Sequence, residues 1–362
     1  MKTRFIYLGI FLFVGAVCPF LWANADLPPA PVAPAKGAPD PTGKTLQFRG
    51  HTDPSAAYPR EAYANPVIDY SLPDPSVVRG DDGYYYLYAT EDIRNVPIHR
   101  SKDLVRWEFV GTAFTDRTRP DFEPEGGIWA PDIQKIDGRY VLYYSMSVWG
   151  GEWTCGIGCA VADTPAGPFT DRGLLFRSNE IGVQNSIDPF YIEDGGKAYL
   201  FWGSFRGIYG IELTAGGLSL LPGAKPRQVA GTAYEGTYIH KKDGYYYLFA
   251  SIGTCCEGLK STYTTVVGRS EHLFGPYVNK KGEPMMENRH EILLHKNDAF
   301  VGTGHNSEIV TDGKGDDWMF YHAVSVGHPQ GRVLMLDRIR WQDGWPGVET
   351  DSPSLQADKP NV

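Results

Sequence analysis

The stretch Asp74-Pro75-Ser76-Val77-Val78-Arg79, turned at Asp81-Asp82-Gly83 and answered by Tyr84-Tyr85-Tyr86-Leu87-Tyr88, decides the fold. β-Branched and aromatic residues favour the pleated, half-buried surface of a strand, and an Asp/Gly turn supplies the positive φ angles of a tight hairpin. The same parts return four times in the same order: an acid, a short apolar run, a turn, an aromatic run. They return at Asp132-Ile133 with Asp137-Gly138 and Tyr140-Val141-Leu142-Tyr143-Tyr144, and at Asp188-Pro189-Phe190 with Glu193-Asp194-Gly195-Gly196 and Tyr199-Leu200-Phe201-Trp202. They return again at Glu235-Gly236-Thr237 with Asp243-Gly244 and Tyr245 to Phe249, and at Glu308-Ile309-Val310 with Asp312-Gly313 and Trp318 to Tyr321. A repeat of roughly 45–70 residues holds about four strands, the size of one propeller blade. The expected fold is therefore all-β, a single five-bladed β-propeller over residues 61–362. A β-sandwich or a parallel β-helix accounts less well for long, regular, aromatic units.

Composition agrees. The chain has 362 residues with 42 Gly, 22 Tyr and 17 Phe, as expected of many short strands joined by tight turns. Charged residues are only 21%, which excludes a disordered or coiled-coil chain. Acids outnumber Lys and Arg by 43 to 34, with no basic cluster, which excludes a nucleic-acid partner.

Lys2 and Arg4 precede an uncharged apolar run from Phe5 to Trp22, then Ala23-Asn24-Ala25, so residues 1–25 read as a secretory signal peptide. Residues 26–60 form a Pro/Ala-rich tether and lead-in. The protein is expected to be exported, secreted or periplasmic, and to touch a membrane only if the N-terminal segment is retained. Of the remaining cysteines, Cys155 and Cys159 lack metal-site spacing, and with Cys255 and Cys256 they read as buried thiols or as one or two disulfides.

In a propeller the first strand of each blade lines a shared channel, so acids at successive strand starts converge in one pocket. Several carboxyls in one pocket cannot all ionise cheaply, because like charges and burial raise their pKa values. One ionised and one protonated carboxyl are the equipment of glycoside hydrolysis. Acids from different blades suit the wider separation of roughly 6.5–9.5 Å that leaves room for an attacking water. Trp129 and Trp149 flank strand ends, where their faces suit stacking on sugar rings. Asp132 also begins a strand and is read as pocket architecture or substrate contact.

In these segments the sequence resembles glycoside hydrolase family 43: Leu72 to Arg79, Trp129-Ala130-Pro131-Asp132-Ile133, Asn185-Ser186-Ile187-Asp188-Pro189 and Tyr234-Glu235-Gly236. Within it, Gly203-Ser204-Phe205, Cys255-Cys256-Glu257-Gly258, Ser261-Thr262-Tyr263 and Gly304-His305-Asn306 with Tyr321-His322 resemble the endo-1,5-α-L-arabinanases. The resemblance implies an inverting enzyme with Asp74 as general base, Glu235 as general acid and Asp188 as the carboxylate that keeps the Glu235 pKa high. It implies that Asn185, Ser204 and Phe205 contact the arabinose beside the scissile bond. It implies that His305 anchors a central ion, often calcium, largely through water, with no organic cofactor. The expected partner is arabinan or its oligosaccharides, and the expected state is a monomer. Met285 to His290 and Val324 to Gln330 depart from the family pattern and leave endo against exo cleavage open. An exo-acting α-L-arabinofuranosidase or β-xylosidase of the same fold, and a non-catalytic carbohydrate-binding propeller, are the alternatives.

Overall fold

The computed structural model describes residues 62–362, so the signal-peptide and tether readings lie outside the described residues. The described chain is all-β. A first antiparallel unit holds β2 (Ser76–Arg79), β3 (Tyr85–Tyr88), β4 (Pro97–Ser101) and β5 (Glu108–Thr112). A second holds β6 (Gly127–Ile136), β7 (Arg139–Ser147), β8 (Gly156–Ala162) and β9 (Thr170–Arg177). A third holds β10 (Phe190–Asp194), β11 (Lys197–Trp202), β12 (Ile208–Glu212) and β13 (Arg227–Ala230).

The other strands form a nine-stranded sheet, which divides where β16 meets β18 through a single parallel pairing of Thr264 with Thr303. On one side lie β14 (Glu235–Lys242), β15 (Tyr245–Ile252), β16 (Thr264–Ser270) and β17 (Glu291–Ile292). On the other lie β18 (Phe300–Gly304), β19 (Ile309–Thr311), β20 (Asp317–Ser325), β21 (Val333–Gln342) and β22 (Trp345–Val348). Here β18 and β19 share β20 as partner, each covering half of it.

Three of the expected turns are two-residue hairpins with both residues left-handed: Asp137-Gly138, Gly195-Gly196 and Asp243-Gly244. The fifth unit differs. Its turn runs from Asp312 to Asp316 with Gly315, not Gly313, left-handed. The Asp312 carboxylate accepts from the backbone N–H of Lys314 and Asp316, so a longer loop is held by a side chain.

Apolar clusters connect the units in order. Tyr86, Tyr88 and Ile98 pack with Ile133, Leu142 and Tyr144 across units one and two. Tyr143 and Val141 meet Tyr191, Leu200 and Trp202 across units two and three. Units three, four and five share a core that includes Phe201, Leu248 and Met335. Finally Trp318, Phe320 and Leu336 of unit five pack against Val77, Tyr85 and Leu87 of unit one. The ends are tied by β1 (Ala62–Ala64), which pairs with β23 (Gln356–Asp358), and by Val67 N–H donating to Leu334 O at 2.9 Å.

Cys155 and Cys159 are buried free thiols, while Cys255 and Cys256 form a disulfide between neighbours in the chain. Among the described residues, no helix is long and apolar enough to cross a membrane.

Candidate active site

Each unit carries one left-handed residue near its entry: Asp74 (φ 56°), Ala130 (φ 42°), Asp188 (φ 61°), Gly236 (φ 61°) and His305 (φ 50°). A non-Gly residue there is strained by of order 1–3 kcal/mol and persists only where the surroundings over-determine it. Asn185 (φ 56°) and Phe205 (φ 52°) share this conformation. Such strain gathers at sites where side-chain direction matters more than backbone comfort.

A cavity of about 560 Å³ lies where these entries converge. The three expected catalytic acids Asp74, Asp188 and Glu235 all line it. So do Trp129, Trp149, Asn185, Ser204, Phe205 and His305. Trp149 is 83% exposed, an uncommitted aromatic face at the rim. Trp129 is half-buried, and its indole lies so close to Gly127 that a Cβ there would sit 2.3 Å from Nε1.

Asp132 is the exception. It is buried and does not line the cavity. The residue that matches Asp74 and Asp188 in unit two is Ala130, since each precedes a proline and each is left-handed. Asp132 sits two residues further along its strand. Its Oδ2 accepts from Tyr191 N–H at 2.7 Å and its Oδ1 from Gln134 Nε2 at 2.8 Å. Its close partner is Glu308, which is held by Ser76 Oγ at 2.8 Å and Val77 N–H at 2.7 Å. Burial, then the neighbouring Glu308 charge, push Asp132 well above the usual carboxylate range. The two acids form a proton-sharing clasp that ties together units one, two, three and five.

Asp74 is held the other way. Burial alone would raise its pKa, but Arg332, His305 and His322 together outweigh burial and hold it well below the usual range. Arg332 Nη1 donates to Oδ1 at 3.1 Å, and Thr90 Oγ1 donates to Oδ2 at 2.6 Å. His322 Nδ1 and His305 Nδ1 lie 3.2 and 3.3 Å from Oδ1. Burial pushes His322 down to about 4, so at neutral pH it is a neutral ring whose Nδ1 accepts from the Asp74 backbone N–H at 3.2 Å. Asp74 is therefore an ionised carboxylate with a fixed direction.

Glu235 is pushed up to about 7, first by burial, against hydrogen bonds from Ser204 and Tyr263 that favour its charged form; Asp74 adds to the rise. Ser204 Oγ donates to Glu235 Oε2 at 2.6 Å. Asp188 is raised well above the usual range by burial, then by Glu235 and Asp74. Its Oδ2 accepts from Gly236 N–H at 3.2 Å, and its own N–H donates to Ser145 Oγ at 2.8 Å. Asp188 and Glu235 thus behave as a dyad that retains a proton near neutral pH. Burial lifts both members of the pair.

Four residues that hold this site carried no functional reading in the sequence: Arg332, Thr90, His322 and Tyr263. Tyr263 is buried and stacks on His322 with centroids 5.4 Å apart. A Cβ on Gly304 would sit 2.2 Å from Tyr263 Cδ1, so glycine is required for the ring to lie there.

A metal fits this site only indirectly. Among the described residues, no group of three His, Cys, Asp or Glu side chains is placed to hold an ion. Buried oxygens without a protein partner do occur on the segments flanking His305: Thr303 Oγ1, Asn306 Oδ1 and Thr237 Oγ1. These are hard donors of the kind calcium prefers, and they suit an ion held through water rather than by a carboxylate cage.

The model of glycosyl hydrolases family 43 matches residues 63–346. The chain belongs to that family. It is 35% identical over 307 residues to the extracellular exo-α-(1→5)-L-arabinofuranosidase ArbA of Cellvibrio japonicus, covering 76% of this chain and 86% of that protein. It is 32% identical over 308 residues to the extracellular endo-α-(1→5)-L-arabinanase 1 of Bacillus subtilis, covering 81% and 92%. Among solved structures, a family 43 endo-arabinanase from Bacillus licheniformis superposes with a TM-score of 0.68 at 30% identity, covering 77% of this chain and 98% of that one. The Cellvibrio cellulosa α-L-arabinanase complexed with arabinohexaose superposes with a TM-score of 0.69 at 32% identity, covering 77% and 96%. The glycosyl hydrolase is therefore an enzyme whose family matches the equipment of its cavity.

Proposed function

We propose that this glycosyl hydrolase cleaves 1,5-α-L-arabinofuranosidic bonds within arabinan chains, by a single inverting displacement. The observation that carries the reading is one cavity holding a carboxylate kept ionised, Asp74, and a carboxyl kept protonated up to about pH 7, Glu235. In that mechanism Asp74 takes a proton from a water as its oxygen bonds to the anomeric carbon. Glu235 gives its proton to the departing glycosidic oxygen as the old bond breaks. Asp188 keeps the dyad proton from leaving early. Asn185, Ser204 and Phe205 hold the sugar beside the scissile bond, and Trp129 and Trp149 offer faces to neighbouring rings.

The five units act as the blades of a β-propeller. The support for this is the cyclic order of apolar clusters, with unit five packed on unit one. A calcium ion held through water is proposed beside His305, with Thr237, Thr303 and Asn306 as the flanking oxygens. It would supply a fixed positive charge in the channel; the proton transfers belong to the carboxyls. Export is proposed from the apolar leader at residues 1–25 and from relatives named as extracellular. The protein is proposed to act as a monomer.

Hydrolysis of linear 1,5-arabinan by wild type, Asp74→Ala and Glu235→Ala tests the mechanism. Each variant is expected to lose roughly 10²–10⁴-fold in rate. Near-normal activity in either would end the assignment. Early oligosaccharide products support cleavage within the chain. Arabinose alone would favour the exo reading, for which the Cellvibrio japonicus relative speaks. Metal stripping with EDTA is expected to lower activity or melting temperature, and no change in either would remove the ion.

A further inference from the structure

The disulfide between Cys255 and Cys256 lines the same cavity as Asp74 and Glu235 and has no part in the chemistry above. Cys255 is half-buried and Cys256 is exposed, so the sulfur pair faces the open cleft. It sits on a loop closed at its base. Thr254 N–H donates to Thr262 Oγ1 at 3.1 Å, Thr262 N–H donates back to Thr254 Oγ1 at 3.3 Å, and Ser261 Oγ donates to Thr254 O at 2.5 Å. Gly253 makes the pinch possible: its φ is 86°, and a Cβ there would lie 2.4 Å from Thr262 O. The loop therefore presents the disulfide on a fixed support.

The loop also belongs to the blade of the acid. It continues from the end of β15, where Ser251 pairs with Glu235. It runs into Tyr263, which hydrogen-bonds Glu235. A general acid stands beside the leaving oxygen, so the part of the substrate beyond that oxygen extends over the acid's own side of the cleft. A disulfide there has no N–H or O–H to donate. It is a polarizable, apolar surface in a cleft whose lining also includes Trp129, Trp149 and Phe205. The C–H face of a furanose ring is the chemical complement of such a surface.

We propose that the Cys255–Cys256 disulfide is a platform on which a sugar ring of the departing chain segment packs, making this residue pair a determinant of affinity for long substrates. The proposal rests on the arabinan reading. Its chemistry requires the oxidised pair, because two separate thiols carry S–H groups and are free to turn apart.

The test is steady-state hydrolysis of linear 1,5-arabinohexaose by the full chain in three forms: oxidised wild type, wild type reduced with tris(2-carboxyethyl)phosphine, and Cys255→Ser/Cys256→Ser. Reduction consumes one phosphine and one water per disulfide, yields two thiols and a phosphine oxide, and is verified by thiol count. Reduced wild type and the double variant are both expected to raise KM roughly two- to tenfold, with kcat within about twofold. The phosphine is expected to leave the double variant unchanged. An unaltered KM in reduced wild type would overturn the proposal, whether or not the double variant folds. A fall in kcat at constant KM would also overturn it, because it would mean the loop only supports Glu235. Any response of the double variant to phosphine would show that the effect lies elsewhere. Absence of hydrolysis by oxidised wild type would instead sink the arabinan reading, and this proposal with it.

Discussion

Replacing Ser204 by alanine should move the alkaline limb of the pH–rate profile upward. Glu235 titrates at about 7 in the folded protein, and as a general acid it must be protonated to work. With a single pKa of 7, roughly nine-tenths of the molecules are competent at pH 6 and about one-tenth at pH 8. Ser204 Oγ donates to Glu235 Oε2 at 2.6 Å, a bond that favours the charged form. A hydrogen bond to a charged group contributes about 1.5–3 kcal/mol. At about 1.4 kcal/mol per unit, losing it raises the limb by roughly one to two units. The variant would then keep half or more of its own maximum at pH 8, against about one-tenth for wild type. The assay is kcat/KM on linear 1,5-arabinan from pH 4 to 10. This ratio reports the free enzyme, and the limb belongs to the Asp188–Glu235 dyad rather than to one residue. Ser204 also lines the sugar site, so the height of the curve is expected to fall; the position of the limb is the readout. A limb that stays in place or moves down would refute the assignment of Glu235 as the acid held by Ser204.

Arg332→Met should shift the acid limb of the same profile upward, because the guanidinium is the main force holding Asp74 ionised against burial; Arg332→Lys should move it less, and an unmoved limb in Arg332→Met would count against Asp74 as base. The Asp132–Glu308 clasp should show in stability. Both acids are raised in the folded state, so the folded protein holds a proton that the unfolded chain releases, and stability falls as pH rises from the unfolded carboxylate range through the folded pKa. Asp132→Asn should flatten the decline in melting temperature as pH rises above the unfolded carboxylate range, and an unchanged slope would show that the clasp does not set it. Gly304→Ala should destabilise by about 1–3 kcal/mol and also lower kcat, since the new methyl displaces Tyr263 from Glu235. Denaturant melts and kinetics together test this, with loss of stability at full kcat as the contrary result.

The aromatic hairpins were legible in the sequence because each is local: a turn with positive φ and two runs of strand formers suffice to announce it. That Asp74, Asp188 and Glu235 converge on one cavity was legible for the same reason, since they stand at strand starts that the repeat marks. Thr90 and Arg332 were not, and Tyr263 and His322 stood out only as parts of resembling segments, with no role attached. They reach the site from the later strands and loops of their units, where no repeat points at them, and only three-dimensional convergence brings them to Asp74 and Glu235. Asp132 shows the limit of a repeat read by residue type alone. An acid near a strand start looks equivalent to Asp74 until the backbone is considered. The equivalent position is Ala130, left-handed and followed by proline as Asp74 and Asp188 are.

That two-residue offset separates two kinds of chemistry. The left-handed entries turn Asp74, Asp188 and His305 toward the cavity, where charge is tuned against charge. Two residues past Ala130, Asp132 lies off the cavity, and with Glu308 it meets backbone N–H groups from units one and three. The same carboxyl group thus lines the cavity at one level and ties units together at the next. For Asp74 and Asp188 what distinguishes the levels is φ at the strand entry, while Glu235 reaches the cavity one residue before the left-handed Gly236. Alanine tolerates the left-handed region poorly, so its presence at Ala130 means that the neighbouring units impose the conformation. The strain is therefore a property of the ring of entries rather than of the acids they carry, and the acids are placed by a geometry that persists even in the unit that lacks one.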